Sequence, residues 1–349
     1  METPVTRLKI YTVVLLLIMI ISGITTAEVN RDCVLARSAL INPTGGGTKA
    51  VIFGTFAESE HGLENALILA ESIRTFGGKY KDAPVWVYVS QYTPEINEGL
   101  KDRFAELKVE IKSSQTPEDA AGFYYSSKVF ASAMAEKEAE GLGRILVWMD
   151  DDTVILAEPS EFILSRGVEF GYKPVMHKLI GSSYAEPPDE FWSRIYDRLG
   201  IAESAMFPMM TVTDSIEIRP YFNAGILVVR PEREILRSWA EYYPLLYRDE
   251  YFQSLAENDD RIKIFLHQTA LVGAALNNLK KDQMIELSEG VNYPVFFKEM
   301  FGAEHEYDDL NGVVTLRYDH YFRNPAPDWQ EKLRGPEEII SWLADKLGR

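Results

Sequence analysis

Ile145-Leu146-Val147-Trp148-Met149 runs directly into Asp150-Asp151-Asp152, after which Thr153-Val154-Ile155-Leu156 resumes the apolar run. The first five residues carry no polar alternation. Such a strand is buried on both faces, as at the centre of a parallel sheet. Three carboxylates at its end repel one another and lose solvation. A fold tolerates them most readily where a cation sits among them. In a turn, Asp150 and Asp152 converge on one side while Asp151 points elsewhere. Hard oxygen ligands of this kind suit Mg²⁺ or Mn²⁺, usually shared with substrate phosphates. The plainer alternative is a solvated acidic loop or a set of N-caps.

Outward from this point the chain alternates strands and helices. Residues 50–53 read as a short strand and 54–62 as a loop. Leu63, Ala66, Leu67, Ala70 and Ile73 recur at helical spacing until Gly77-Gly78. A second strand lies at 84–89 and a weaker third at 109–111. Val129, Phe130, Ala133 and Met134 fall on one face of a helix that Gly141 and Gly143 end. This order, with short connections, predicts an α/β sheet of the doubly wound kind. Pro187-Pro188 and Phe207-Pro208 mark the 172–222 segment as a loop-rich insertion over the site.

The 349 residues carry 36 basic and 53 acidic side chains, a net charge of −17. That balance argues against gripping nucleic acid by its phosphates. A single cysteine, Cys33, excludes an intramolecular disulfide framework and a Cys-rich zinc site. Arg7 and Lys9 precede the apolar run Ile10 to Ile24, and Thr25-Thr26-Ala27 follows it. Residues 1–27 therefore read as a secretory signal peptide or signal anchor. The basic residues before the run send the remainder out of the cytoplasm. Residues 28–48 read as a linker ending in Thr44-Gly45-Gly46-Gly47, which leaves 49–349 as one large domain.

An apolar strand, Asp-x-Asp and a second apolar stretch resemble the DxD signature of GT-A glycosyltransferases. Tyr221-Phe222-Asn223-Ala224-Gly225, followed by an apolar strand and Arg230-Pro231, is similar to a segment of the glycogenin-like (family 8-like) branch. Gln268 matches that branch's Asp-Gln segment, and His267 stands where the branch has Asp. Val291-Asn292-Tyr293 matches a further segment only at Asn-Tyr.

The resemblance implies a Rossmann-like mixed sheet flanked by helices. It implies a nucleotide-diphosphate-sugar donor and an enzyme that retains anomeric configuration. Asp150 and Asp152 would hold the divalent ion, with His320 as third ligand. Thr55 and Phe56 would contact the nucleotide, Lys128 the diphosphate, and Asp151 and Gly225 the remaining donor surface. Asn223 and Gln268 would position the sugar.

The expected reaction moves a hexose from a UDP- or GDP-sugar to a carbohydrate, protein or lipid hydroxyl. A signal sequence then places the enzyme in a lumen that imports nucleotide sugars. Two other classes fit the same residues. One is a non-catalytic sugar-binding protein of the same fold. The other is a metal-dependent phosphotransferase or hydrolase using the Asp cluster. No GxGxxG is present to support a nicotinamide cofactor.

Overall fold

Strand and helix alternate through the first half of the domain in this computed structural model, which describes residues 51–295, 307–318 and 328–347. The order is β1 (Val51–Phe56), α1 (Glu60–Phe76), β2 (Val85–Val89), α2 (Glu98–Glu106), β3 (Val109–Ser113), α3 (Ser126–Ala139) and β4 (Ile145–Met149). After the acidic triplet come β5 (Thr153–Ile155), β6 (Phe170–Tyr172), α4 (Glu190–Leu199) and the hairpin β7 (Met209–Met210) and β8 (Glu217–Ile218). Then follow β9 (Ile226–Val229), α5 (Ile235–Tyr247), α6 (Glu250–Asn258), α7 (Asp260–Asn278), β10 (Met284–Glu286) and β11 (Tyr293–Pro294). The last elements are β12 (Asp308–Asp309), β13 (Thr315–Arg317), β14 (Leu333–Arg334) and α8 (Glu337–Leu347). The described residues belong to one compact unit.

The main sheet has the order β10-β6-β9-β4-β1-β2-β3. β4, β1, β2 and β3 pair in parallel, whereas β9 runs antiparallel to both β4 and β6. The sheet is mixed, flanked by helices, as the resemblance implied. β4 is fully buried, and its side chains alternate between two cores. Leu146 and Trp148 join one core, while Ile145, Val147 and Met149 join the other. This accounts for the uninterrupted apolar run: every position has a core to enter.

Two expectations need correcting. β1 continues to Phe56 instead of stopping at residue 53. Gly54 is a strand residue whose lack of a side chain leaves room for the Trp148 ring, 2.8 Å from where a Cβ would lie. The buried face of α3 also differs from the one expected. Met134 is exposed, whereas Lys128, Ala131, Ser132, Ala135 and Glu136 are buried. α3 packs against both the sheet and α5, so two of its faces are covered. Small residues on those faces allow the close approach.

A second sheet, β11-β13-β5, stands beside the first. β13 runs antiparallel to β5 with Arg317 opposite Thr153. Ser72 of α1 ties β5 down by accepting the Ile155 N–H at 2.9 Å. Val154, Leu316, Tyr318 and Leu343 form the core beneath α8. β12 pairs with β14 in a short two-stranded ribbon. Among the described residues no helix is long and apolar enough to cross a membrane. The signal segment and the linker lie outside the described residues.

Candidate active site

β4 and β9 are antiparallel with Met149 opposite Ile226, so the chain leaving β4 meets the chain entering β9. The Asp150 N–H donates to the Gly225 carbonyl at 2.9 Å. The acidic triplet is thereby pressed against the Asn223-Ala224-Gly225 turn. That turn is tied at each residue. The Gly225 N–H donates to Asn223 Oδ1 at 2.7 Å, and the Ala224 N–H donates to Gln268 Oε1 at 3.1 Å. Asn292 Nδ2 donates to Asn223 Oδ1 at 3.3 Å. Asn292 reaches it from a left-handed backbone conformation (φ 56°), which Asn tolerates better than most residues. The carbonyl oxygens of Asn223 and Gln268 are thus committed to the protein. Their amide nitrogens are the groups left to meet a ligand.

Lys128, in the first turn of α3, is buried with its ammonium in the site. Nζ donates to Asp150 Oδ1 at 2.7 Å and to the Ala224 carbonyl at 3.4 Å. It also sits 5.0 Å from the Tyr125 ring centroid, a cation–π distance. β13 brings a second cation. Arg317 Nη2 lies 3.7 Å from Asp150 Oδ2, and Arg317 Nε lies 3.7 Å from Asp152 Oδ2. Asp150 and Asp152 therefore converge on one guanidinium. Asp151 turns the other way, toward the first turns of α1, where Asn65 Nδ2 donates to its Oδ2 at 3.4 Å. Burial, then repulsion from Asp152 and Asp150, pushes the Asp151 carboxyl well above the usual carboxylate range.

Two cavities flank this cluster and share Tyr125, Lys128, Asp150 and Arg317 as a common wall. One, of about 200 Å³, lies between Asp151 and Asp152 and the start of α1, with Phe56 and Glu58 on its wall. The other, of about 260 Å³, opens on Asn223, Gly225, His267 and Gln268, with Val175, His177 and Tyr221 opposite. Burial, then the Lys128 charge, holds the His267 imidazole well below its ordinary pKa, which favours the neutral ring. The nearby Ile264 carbonyl opposes this shift, and the Arg317 charge adds to it.

Among the expected residues, Asp150, Asp152, Lys128, Asn223, Gly225 and Gln268 come together here. Asp151 and Phe56 line the cavity on the α1 side. Thr55 lines neither cavity: it is a β1 residue, 1% exposed. His320 lies outside the described residues. Trp192, Trp239 and Tyr243 are core, and Tyr242 is half-buried.

Three site residues were not foreseen. Arg317 and Tyr125 line both cavities, and His177 lines the one on the Asn223 side. His177 is buried, with Nδ1 3.6 Å from Asp214 Oδ2. The signal for Arg317 was available as charge accounting, since a buried acidic triplet calls for more than one cation.

Residues 56–276 match the model of the Rhodobacterales glycosyltransferase domain. The chain belongs to that glycosyltransferase family. The matched region contains β4, the acidic triplet, the Asn223 turn and Gln268. Solved structures similar to this glycosyltransferase include the galactosyltransferase LgtC in complex with donor and acceptor sugar analogs. That likeness has 16% identity and a TM-score of 0.42, covering 85% of this chain and 94% of the other. Mouse xyloside xylosyltransferase 1 shows 14% identity and a TM-score of 0.42, covering 77% of this chain and 98% of its own. Core-mannan synthase A from Aspergillus fumigatus, in its Mn/GDP form, shows 12% identity and a TM-score of 0.40, covering 70% and 74%. No curated protein matches the chain.

Within this glycosyltransferase, Gly225 has a specific steric reason. A Cβ there would lie 2.8 Å from Asn223 Oδ1, and 3.3 Å from both Asp150 Oδ2 and Arg317 Nη1. Gly225→Ala must move the Asn223 amide, and with it the hydrogen bond that holds the turn. Transfer is expected to fall about 10- to 100-fold, the equivalent of losing one to two such interactions. Initial rates check this, with a melting temperature to show that the fold persists.

Proposed function

We propose that the protein transfers a hexose from a nucleoside-diphosphate sugar to an acceptor hydroxyl, with retention of anomeric configuration. The observation that carries this reading is the convergence of Asp150 and Asp152 on one cationic group, at the wall shared by two cavities. The α1-side cavity suits the nucleotide, with Phe56 available to stack on a base and Glu58 to accept from hydroxyls. The Asn223 side suits the sugar and the acceptor. Its two amide nitrogens, Asn223 Nδ2 and Gln268 Nε2, are hydrogen-bond donors for sugar oxygens.

Asp150 and Asp152 are hard oxygen donors and fit Mn²⁺ or Mg²⁺. Among the described residues no group of three His, Cys, Asp or Glu gathers as a complete metal site. His320, outside the described residues, is the third ligand that the sequence resemblance implies. A bound ion would stabilise negative charge on the departing diphosphate. Lys128 adds a fixed positive charge on the same side, pre-oriented by Asp150 and the Ala224 carbonyl. In the reaction the bond between the anomeric carbon and the phosphate oxygen breaks, and its electron pair leaves with the nucleoside diphosphate. A bond from the acceptor oxygen to the anomeric carbon forms, and the acceptor proton is released with the diphosphate. The basic residues and apolar run of the N-terminal segment support placement outside the cytoplasm, in a compartment supplied with nucleotide sugars.

The test is thermal stabilisation by UDP, GDP and their sugars, with and without Mn²⁺, in wild type and Asp152→Asn. A ligand that binds only the native state stabilises it by mass action, by about 2.7 kcal/mol at a hundred times Kd, and so raises the melting temperature. One nucleotide is expected to stabilise the wild type in a Mn²⁺-dependent way, and Asp152→Asn is expected to lose the effect. No shift with any nucleotide at millimolar concentration would favour the sugar-binding or phosphatase-type alternatives.

A further inference from the structure

Arg317 occupies an unusual position for a cation at an acidic cluster. Its backbone is pinned on both sides. β13 pairs with β5 so that Arg317 lies opposite Thr153, the residue after the triplet. On the other edge its carbonyl accepts the Val295 N–H at 3.2 Å. The next residue continues the pairing, with the Tyr318 N–H donating to the Asp152 carbonyl at 3.0 Å. The guanidinium then spreads across the gap between the two carboxylates, over the space that Gly225 leaves by having no Cβ.

The two cations of the cluster are held differently. Lys128 makes a 2.7 Å hydrogen bond to Asp150 and is 8% exposed at its side chain. Arg317 stands 3.7 Å from each carboxylate and is 24% exposed. Its contacts to the carboxylates are thus ion pairs beyond hydrogen-bond length. It also lines both cavities, so the same side chain faces the nucleotide side and the sugar side. A guanidinium is a planar fork suited to phosphate oxygens as well as to carboxylates.

We propose that Arg317 is a built-in counter-ion. It balances Asp150 and Asp152 when no divalent cation is present, and it turns to the donor's phosphate oxygens when the cation takes its place. This rests on the metal- and donor-dependent function proposed above. It makes Arg317 a competitor of the metal alone and a partner of the metal together with the nucleotide. Cation binding without nucleotide is then weak by construction, and donor and metal bind cooperatively.

The experiment measures Mn²⁺ binding directly, by the electron paramagnetic resonance signal of the free ion. It compares wild type, Arg317→Met, Arg317→Lys and Asp152→Asn. Calorimetry with UDP and GDP at saturating Mn²⁺ supplies the second arm. Arg317→Met keeps much of the apolar stem and removes the charge. It is expected to bind Mn²⁺ alone about tenfold more tightly than wild type, since a like charge beside the ion is gone. It is also expected to bind the diphosphate about tenfold more weakly. Arg317→Lys, which keeps a charge without the fork, is expected to fall between the two in both arms and guards against a folding defect in the Met variant.

Unchanged or weaker Mn²⁺ binding in Arg317→Met overturns the proposal. If wild type still binds Mn²⁺ and Asp152→Asn does not, the proposed function survives that failure. If wild type binds no Mn²⁺ with or without nucleotide, both the proposal and the function it rests on fall.

Discussion

Asp152→Asn is expected to cut sugar transfer by at least about 10³-fold, a loss of roughly 4 kcal/mol of transition-state stabilisation. Asp150 and Asp152 are the two carboxylates that converge on a common cation. Removing either charge leaves Lys128 and Arg317 with one partner fewer, in a site whose carboxylate side chains are only 12% and 13% exposed. An Asn there is the same size and has one weaker acceptor, so the fold is retained while the charge is lost. Asp151→Asn is the internal control. Asp151 points toward α1, and burial already favours its protonated form. Its replacement is expected to stay within about tenfold of wild type and to keep metal dependence. Initial rates at saturating Mn²⁺ for wild type and the two variants decide the matter. Equal losses at 151 and 152 would mean that the triplet acts as an undirected acidic patch.

The sequence made this pair legible because an apolar run with no alternation has one comfortable place in an α/β fold, and its carboxyl end is where ligands bind. The Asn223 turn was legible through resemblance, its Phe-Asn-small-Gly pattern before an apolar strand being similar to the glycogenin-like segment. What escaped was long-range pairing. Arg317 reaches the triplet only because β13 runs antiparallel to β5, and nothing local to residue 317 announces that register. His177 escaped likewise, since Asp214 comes to it through the folding of the insertion. Thr55 was expected in a loop beginning at Gly54, whereas Gly54 is a strand residue whose missing Cβ leaves room for the Trp148 ring. Glycine reports a missing side chain, and sequence alone does not say whether a backbone or a neighbouring ring needs the space.

Stability is expected to fall by about 3 kcal/mol between pH 4.5 and pH 7 through one residue, Glu136. Glu136 projects from α3, fully buried, and caps the start of α5 from outside that helix. Its carboxylate accepts the Leu236 N–H at 3.1 Å and the Arg237 N–H at 2.8 Å. Glu234, at the N-cap position, makes no side-chain cap of its own. Burial pushes the Glu136 carboxyl up from its ordinary 4.5 to about 7, against the opposing pull of those N–H groups and of Arg237. Because the folded pKa is raised, the native state binds the proton more tightly than the unfolded chain does. That contribution is fully present below about pH 4.5 and is lost as pH rises through about 7. The cap matters to the site, since α3 carries Lys128, and α5 holds α7 through Trp239 Nε1 donating to the His267 carbonyl at 2.6 Å. Denaturant unfolding of wild type and Glu136→Gln across this range isolates the residue from every other titrating group. The stability difference, wild type minus variant, is expected to fall by the stated amount from pH 4.5 to 7. A flat difference would mean that the two N–H donors and Arg237 outweigh burial and keep Glu136 ionised in the native state.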